Sequence, residues 1–365
     1  MILTQFDVIG IRNLDTSTLL PHTSLNLVTG ANGAGKSSVL EAIHCLSVGH
    51  SFRTRKAREL ISRNRDHYSL TARFNDPATH QEHRCGMKRS RDGSIEIRLN
   101  YEPVKSLAEI TRILPVKALS PDSHQLIQEG PEHRRQFIDW GLFHVEPTFF
   151  DTWRQYRRCL SQRNQALRDS ATDSEVCSWN ELLSETGTNL NAMRSAFVGK
   201  LLDAVQQRLT TLEAVFSVDL RYRSGWVNDE TLFNTLEKNL ENHRRFRTTT
   251  DGPHRAEMVV IADEVPARQI LSRGQQKVFV YLLHLAQLDL LAASGTRQAI
   301  VVCDDLISEL DEKNAFRLVQ QLVALTGQTF VSGVNLDVFR SVPHKVFHVE
   351  HGQINKTEPI NQNTK

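Results

Sequence analysis

Residues 2 to 11 alternate loosely between apolar and polar positions (Ile2, Leu3, Phe6, Val8, Ile9, Ile11), which predicts an opening strand ending at Arg12-Asn13. Leu25-Asn26-Leu27-Val28 reads as a buried strand, and the opening strand is expected to pair beside it. The period then changes: from Ser38 to Leu46, the residues Val39, Leu40, Ile43 and Leu46 fall on one face of a helix. Strand-like runs at 69 to 74, 83 to 88 and 94 to 99, the last after an Asp92-Gly93 turn, predict a small antiparallel meander. Pro131 sits in the first turn of a helix that runs through Trp140. Between about 148 and 247 the apolar positions take a long helical spacing, with one stripe at Trp153, Tyr156, Leu160 and Leu167 and another from Leu182 through Leu190, Phe197, Leu201 and Val205 to Leu212. About 100 residues interrupted by Gly187 and Gly199 make a short helical lobe, not a long coiled coil. Beyond it the pattern predicts a strand at 258 to 262, a long helix from about 271 to 291, a buried strand at 299 to 303, another at 328 to 333, and a loose polar tail from about Gly352.

The class is therefore α/β, a mixed sheet with helices and a mainly helical second lobe. The expected division is 1–145 and 251–365 for the two parts of the sheet-bearing head and 146–250 for the helical arm. At 365 residues with 39% hydrophobic and 24% charged, the chain can build two cores. No apolar run approaches the roughly 20 residues of a membrane span, and Met1 to Asp7 carry no basic segment followed by an apolar one, so a cytoplasmic place is expected. Five cysteines without a C-x-x-C pair argue for reduced, structural thiols. A net charge of +2 confines any affinity for nucleic acid to local patches. Three stand out: Arg53 to Arg65, the arginines 154, 157, 158, 163 and 168 assigned to outer helix faces, and His243-Arg244-Arg245-Phe246-Arg247. Each is either a phosphate contact or a solvated face.

The sharpest chemistry lies between the buried strand and the first helix. Gly30-Ala31-Asn32-Gly33-Ala34-Gly35-Lys36-Ser37 fits G-x-x-x-x-G-K-[ST] without a gap. The glycines let backbone N–H groups turn inward on a polyphosphate, and the helix N-terminus adds positive potential. Lys36 is expected to reach the β and γ phosphates, and Ser37 to hold Mg²⁺ through its hydroxyl. The matching acid is Asp304, placed to bind Mg²⁺ through water, with Asp305 placed to orient an attacking water.

Leu271-Ser272-Arg273-Gly274-Gln275 resembles the signature motif of ABC-type ATPases. In that superfamily the signature completes the site of the opposite subunit across a two-fold dimer, which assigns Ser272, Gly274 and Gln275 to a partner's ATP. The loop and this motif lie about 240 residues apart (30 to 271), unlike the spacing of importer subunits. Together with Arg12-Asn13, Ser51-Phe52-Arg53, Ser120-Pro121-Asp122, Gly130-Pro131, Arg134-Arg135, Phe137-Ile138-Asp139, Gly252-Pro253-His254-Arg255 and Ser308-Glu309-Leu310-Asp311, these stretches closely resemble the RecF family of bacterial recombination mediators over essentially the whole chain. The resemblance implies an ABC-type P-loop ATPase head with a short arm, Arg12 and Asn13 near the nucleotide, and a homodimer that closes with ATP on duplex or single-strand gapped DNA. It also implies work with RecR and RecO to load RecA onto strands covered by single-strand-binding protein, at gaps and stalled forks and in the SOS response. An SMC-like chromosome organiser and an ABC-like nuclease are the alternatives. Asp305 stands where transporters carry glutamate, and no histidine follows Phe330-Val331-Ser332, so slow hydrolysis is expected.

Overall fold

The computed structural model describes residues 1–77, 79–211, 217–227, 229–295, 298–305, 310–334 and 336–356. Two compact units emerge, one made of Met1–Ser123 with Leu291–Lys365 and the other of His124–Leu290. The boundaries fall earlier and later than the arm limits of 146 and 250. The helix Pro131–Val145 and the helix Arg273–Ala293 both bury apolar residues, among them Phe137, Ile138, Phe279 and Leu283, in the second unit's core. Within the described residues of each unit there is one dominant apolar cluster.

In the first unit β1 (Ile2–Ile11), β2 (Leu14–Leu19), β3 (Leu25–Thr29), β4 (His67–Asn75), β5 (Glu82–Ser90), β6 (Ile95–Leu99) and β7 (Glu102–Pro103) come first in the chain. All but β3 form an antiparallel sheet of order β2-β1-β4-β5-β6-β7. The opening strand therefore does not pair beside β3. Its register joins Phe6 to Leu19 on one side and to Ala72 on the other, because a short turn after Ile11 lets the chain double back at once as β2. The second sheet uses β8 (Val116–Leu119) and, after β9 (Val218–Arg223), β10 (Glu257–Ala262) and β11 (Val265–Pro266) of the other unit, β12 (Ile300–Cys303), β13 (Gln328–Gly333), β14 (His344–Glu350) and β15 (Gln353–Lys356). Its order is β15-β14-β3-β13-β12-β8, parallel except for β15. The tail from Gly352 is thus not loose at first, since Ile354 pairs with Val349. The helix α1 (Lys36–Val48) is buried almost all round, and its apolar side chains Val39, Leu40, Ile43 and Leu46 belong to the same core as Val8, Leu70, Val302 and Phe347.

The second unit is mainly helical, with the long helices Phe149–Arg168 and Asn180–Thr211 beside a three-stranded antiparallel sheet β11-β10-β9. Arg163, assigned to an outer face, is 0% exposed. It donates to Asn180 Oδ1 (2.9 Å), to Thr249 Oγ1 (2.7 Å) and to His243 Nδ1 (3.2 Å). His243, counted in a basic surface cluster, is equally buried and donates through Nε2 to Asp251 (2.9 Å). Burial lowers its pKa, keeping it neutral with its proton on Nε2. His254 is held the same way, between Tyr156 Oη (2.6 Å) and the Thr249 carbonyl (2.9 Å), and burial lowers its pKa to about 4. In the stretch Gly252 to Arg255, Gly252 and Pro253 are buried in this unit and His254 braces it from a half-buried place, while Arg255 is exposed. Among the described residues no helix is long and apolar enough to cross a membrane.

Candidate functional site

β3 delivers the chain into the glycine loop and α1 leaves it. Gly30 and Gly35 adopt φ of +149° and +120°, where a side chain is strained, and a Cβ would lie 2.3 Å from the Val349 carbonyl oxygen at Gly30 and 2.9 Å from Asn13 Nδ2 at Gly35. Ala31, Asn32 and Gly33 form the exposed tip. No side chain caps α1, so its first-turn amides and dipole are left for an anion. Lys36 is 8% exposed and donates to the carbonyls of Gly30 (2.9 Å) and Ala31 (3.0 Å), lying along the loop it serves.

The acid expected beneath the loop is there. Asp304, 1% exposed at the end of β12, accepts from Ser37 Oγ (2.8 Å) and from Ser332 Oγ (2.8 Å) on one oxygen, and from Arg53 Nη2 (2.6 Å) on the other. The strand order explains the meeting. β13 lies between β3 and β12, so Ser332 at its end stands between the loop helix and the acid strand. Asp305 follows with φ +49°, its N–H given to the same Ser332 oxygen (2.9 Å). Hydroxyl and carboxylate oxygens converging here are the donor set of a small hard cation, and the Arg53 guanidinium shows that the place accepts positive charge.

Asn13 grips the loop from outside, donating to the Ala34 carbonyl (2.9 Å) and accepting from Ser38 Oγ (2.9 Å). Arg12 and Asn13 also line a neighbouring cleft of about 750 Å³, whose walls carry Ser38, Glu41, Arg53 and Glu59 but none of residues 30 to 37. The Arg12 guanidinium is bound by Glu41 through Nε and Nη2 (2.9 Å each), a pairing that raises its pKa further. Three participants escaped the sequence reading. Arg53 stands in a basic run and in one of the stretches that carry the family resemblance, with no role expected of it, yet it reaches an acid 251 positions away. Glu41 and Ser332 carried a faint signal, a polar residue set inside an apolar run (Val39-Leu40-Glu41-Ala42-Ile43 and Phe330-Val331-Ser332). Ser308 and Glu309 lie outside the described residues, while Asp311 caps the next helix by accepting from Asn314 N (2.9 Å).

Ser272, Gly274 and Gln275 belong to the second unit and stand exposed at the N-terminus of the helix Arg273–Ala293. Ser272 N donates to Gln275 Oε1 (2.8 Å) and Gln275 N to Ser272 Oγ (3.3 Å), a reciprocal cap. A Cβ at Gly274 would meet nothing within 4 Å.

A glycine loop on a helix N-terminus, a serine hydroxyl joined to a strand-end aspartate, and an extra strand between them define a P-loop ATPase head of the ABC and SMC type. The model of the RecF/RecN/SMC N-terminal domain matches residues 2–357. The chain is 39% identical over 360 residues to the DNA replication and repair protein RecF of Thioalkalivibrio sulfidiphilus, covering 97% of this chain and 99% of that one. It is 36% identical over 363 residues to the RecF of Stutzerimonas stutzeri, covering 97% of each. The chain belongs to the RecF family of DNA replication and repair proteins. Among solved structures it is similar to the recombination mediator RecF-ATP of the RecFOR pathway, with TM-score 0.88 and 25% identity over 98% of this chain and 97% of that one. The SMC head bound to the C-winged helix domain of ScpA, with TM-score 0.60 and 15% identity over 98% and 97%, shares the fold.

Proposed function

We propose that this chain is an ATP-gated DNA-binding repair protein whose homodimer closes when ATP is sandwiched between one copy's Lys36 loop and the other copy's Ser272 segment. In this reading the amides of residues 30 to 37 and the Lys36 ammonium bind the phosphates, and Arg12 and Asn13 border the nucleotide. Ser37 and Asp304 hold Mg²⁺, which would neutralise phosphate charge, and Asp305 orients water for slow hydrolysis that resets the dimer. The relatives' names, DNA replication and repair protein, and the RecFOR pathway of the solved neighbour support an output on DNA; in this reading it lies in the cytoplasm, at the nucleoid, on duplex and single-strand gapped DNA. There RecR and RecO would help exchange single-strand-binding protein for RecA. Contacts to DNA phosphates would make that binding independent of sequence and steeply salt-dependent.

The observation that carries the dimer reading is Gly274. A glycine in a helix's first turn is unfavourable against alanine, nothing in its own chain crowds it, and it sits between two exposed polar residues at a helix N-terminus. Close approach by a phosphate or a second copy explains it. The test is complementation by mixing. Lys36→Ala and Ser272→Arg are each expected to abolish ATP-dependent dimerisation, and an equimolar mixture to recover part of it, because the mixed dimer keeps one intact site. A mixture as inactive as its components, with both variants folded, means that the signature acts within its own subunit.

A further inference from the structure

Glu41 is 1% exposed in the middle of α1, one helical turn beyond Ser37. A carboxylate so placed needs donors in place of its water, and it has three. Arg12 Nε and Nη2 each stand 2.9 Å from a carboxylate oxygen, and Ser51 Oγ donates at 2.6 Å. Both partners lead to the nucleotide site. Arg12 holds a left-handed backbone (φ +54°) that a side chain rarely adopts, and the next residue is Asn13, which grips the loop at Ala34 and Ser38. Ser51 Oγ also accepts from the Arg53 backbone N–H (2.8 Å), tethering the segment whose guanidinium meets Asp304. A path of polar contacts, joined by the peptide link between Asn13 and Arg12, therefore runs from Ala34 through Asn13, Arg12, Glu41, Ser51 and Arg53 to Asp304, with Glu41 at its centre.

We infer that Glu41 is a positioning residue of the nucleotide site, setting from inside α1 both the strand end that grips the glycine loop and the segment that carries Arg53 to Asp304. It touches no reacting atom. The inference rests on the reading of the loop as an ATP site. Glutamate suits the role because two equivalent oxygens are required. Glutamine would turn an amide N–H toward the donors of Arg12, and aspartate, one methylene shorter, reaches fewer of them.

The experiment uses the full chain with Glu41→Gln, Glu41→Asp and Ser51→Ala, at a temperature where circular dichroism shows each folded, and measures ATP affinity and turnover at saturating Mg²⁺-ATP separately. Glu41→Gln is expected to weaken ATP binding about tenfold, the usual scale for losing an outer-shell partner, and Glu41→Asp to restore part of it. Ser51→Ala leaves the pair with Arg12 and frees only the Arg53 segment, so affinity is expected to hold while turnover falls about tenfold. A merely structural role would lower the melting temperature and leave both quantities unchanged in the folded protein. Wild-type affinity and turnover in folded variants overturn the inference alone, and if Glu41→Gln does not fold, wild-type turnover of Ser51→Ala does so. Absence of ATP binding by the unaltered chain overturns the nucleotide reading and this inference together.

Discussion

The glycine loop and the signature segment both place small residues at a helix N-terminus, yet their surroundings differ. At Gly30 and Gly35 an added Cβ would run into the carbonyl of Val349 or the amide of Asn13, so the first unit's own packing demands glycine. At Gly274 the space is open and the adjoining Ser272 and Gln275 cap only each other. One half of the chemistry is thus explained inside its own unit, from Lys36 on its carbonyls to Asp304 with three donors. The other half carries a glycine that its own unit does not require. In the proposed dimer this exposed helix end is where the partner's nucleotide would come close.

The largest effect is expected where packing demands glycine. Gly30→Ala forces a Cβ against backbone in a strained conformation and should cost about 3 kcal/mol or more, read as a lower melting temperature together with loss of ATP binding. Next comes the buried polar network of the second unit. Arg163→Met removes the donor to Asn180, Thr249 and His243 and should destabilise by roughly 2–3 kcal/mol in chemical denaturation. A smaller loss should accompany acidification. His243 and His254 have folded pKa values below the ordinary 6.5, so they are neutral in the native protein and stability is complete above that value. It is lost as pH falls from 6.5 toward about 4, because the unfolded chain takes up the protons first. Melting is expected a few degrees lower at pH 5 than at pH 7.5, and a flat profile would contradict the neutral tautomers. Gly274→Ala should change stability least, by under about 1 kcal/mol and in the stabilising direction, while ATP-dependent self-association falls. If association survives this change and also Gly274→Gln, the contrast between the two glycines loses its meaning.

Local pattern made the loop legible: a buried strand, a glycine run and an amphipathic helix are contiguous, and β12 announced itself by Ile300-Val301-Val302-Cys303 before two aspartates. Pairing was less legible, because β1 takes partners as distant as Ala72, although its alternation, unlike the continuous burial of β3, β12 and β13, suits the antiparallel sheet it joins. Arg163 and His243 were misplaced by residue type, although for Arg163 the spacing held the answer. Tyr156, Leu160, Arg163 and Leu167 recur at intervals of four, three and four, which puts the arginine on the buried stripe. The bond from Arg53 to Asp304 had no local signature at all.

The sheet order β15-β14-β3-β13-β12-β8 also has a consequence for biosynthesis. β3 and the loop leave the ribosome early, but the strands that flank β3 begin only at Gln328 and His344. Residues 124 to 290, which form a unit by themselves, are translated in between. The inserted unit can therefore mature on the nascent chain while the phosphate cradle waits, half built, for its neighbours.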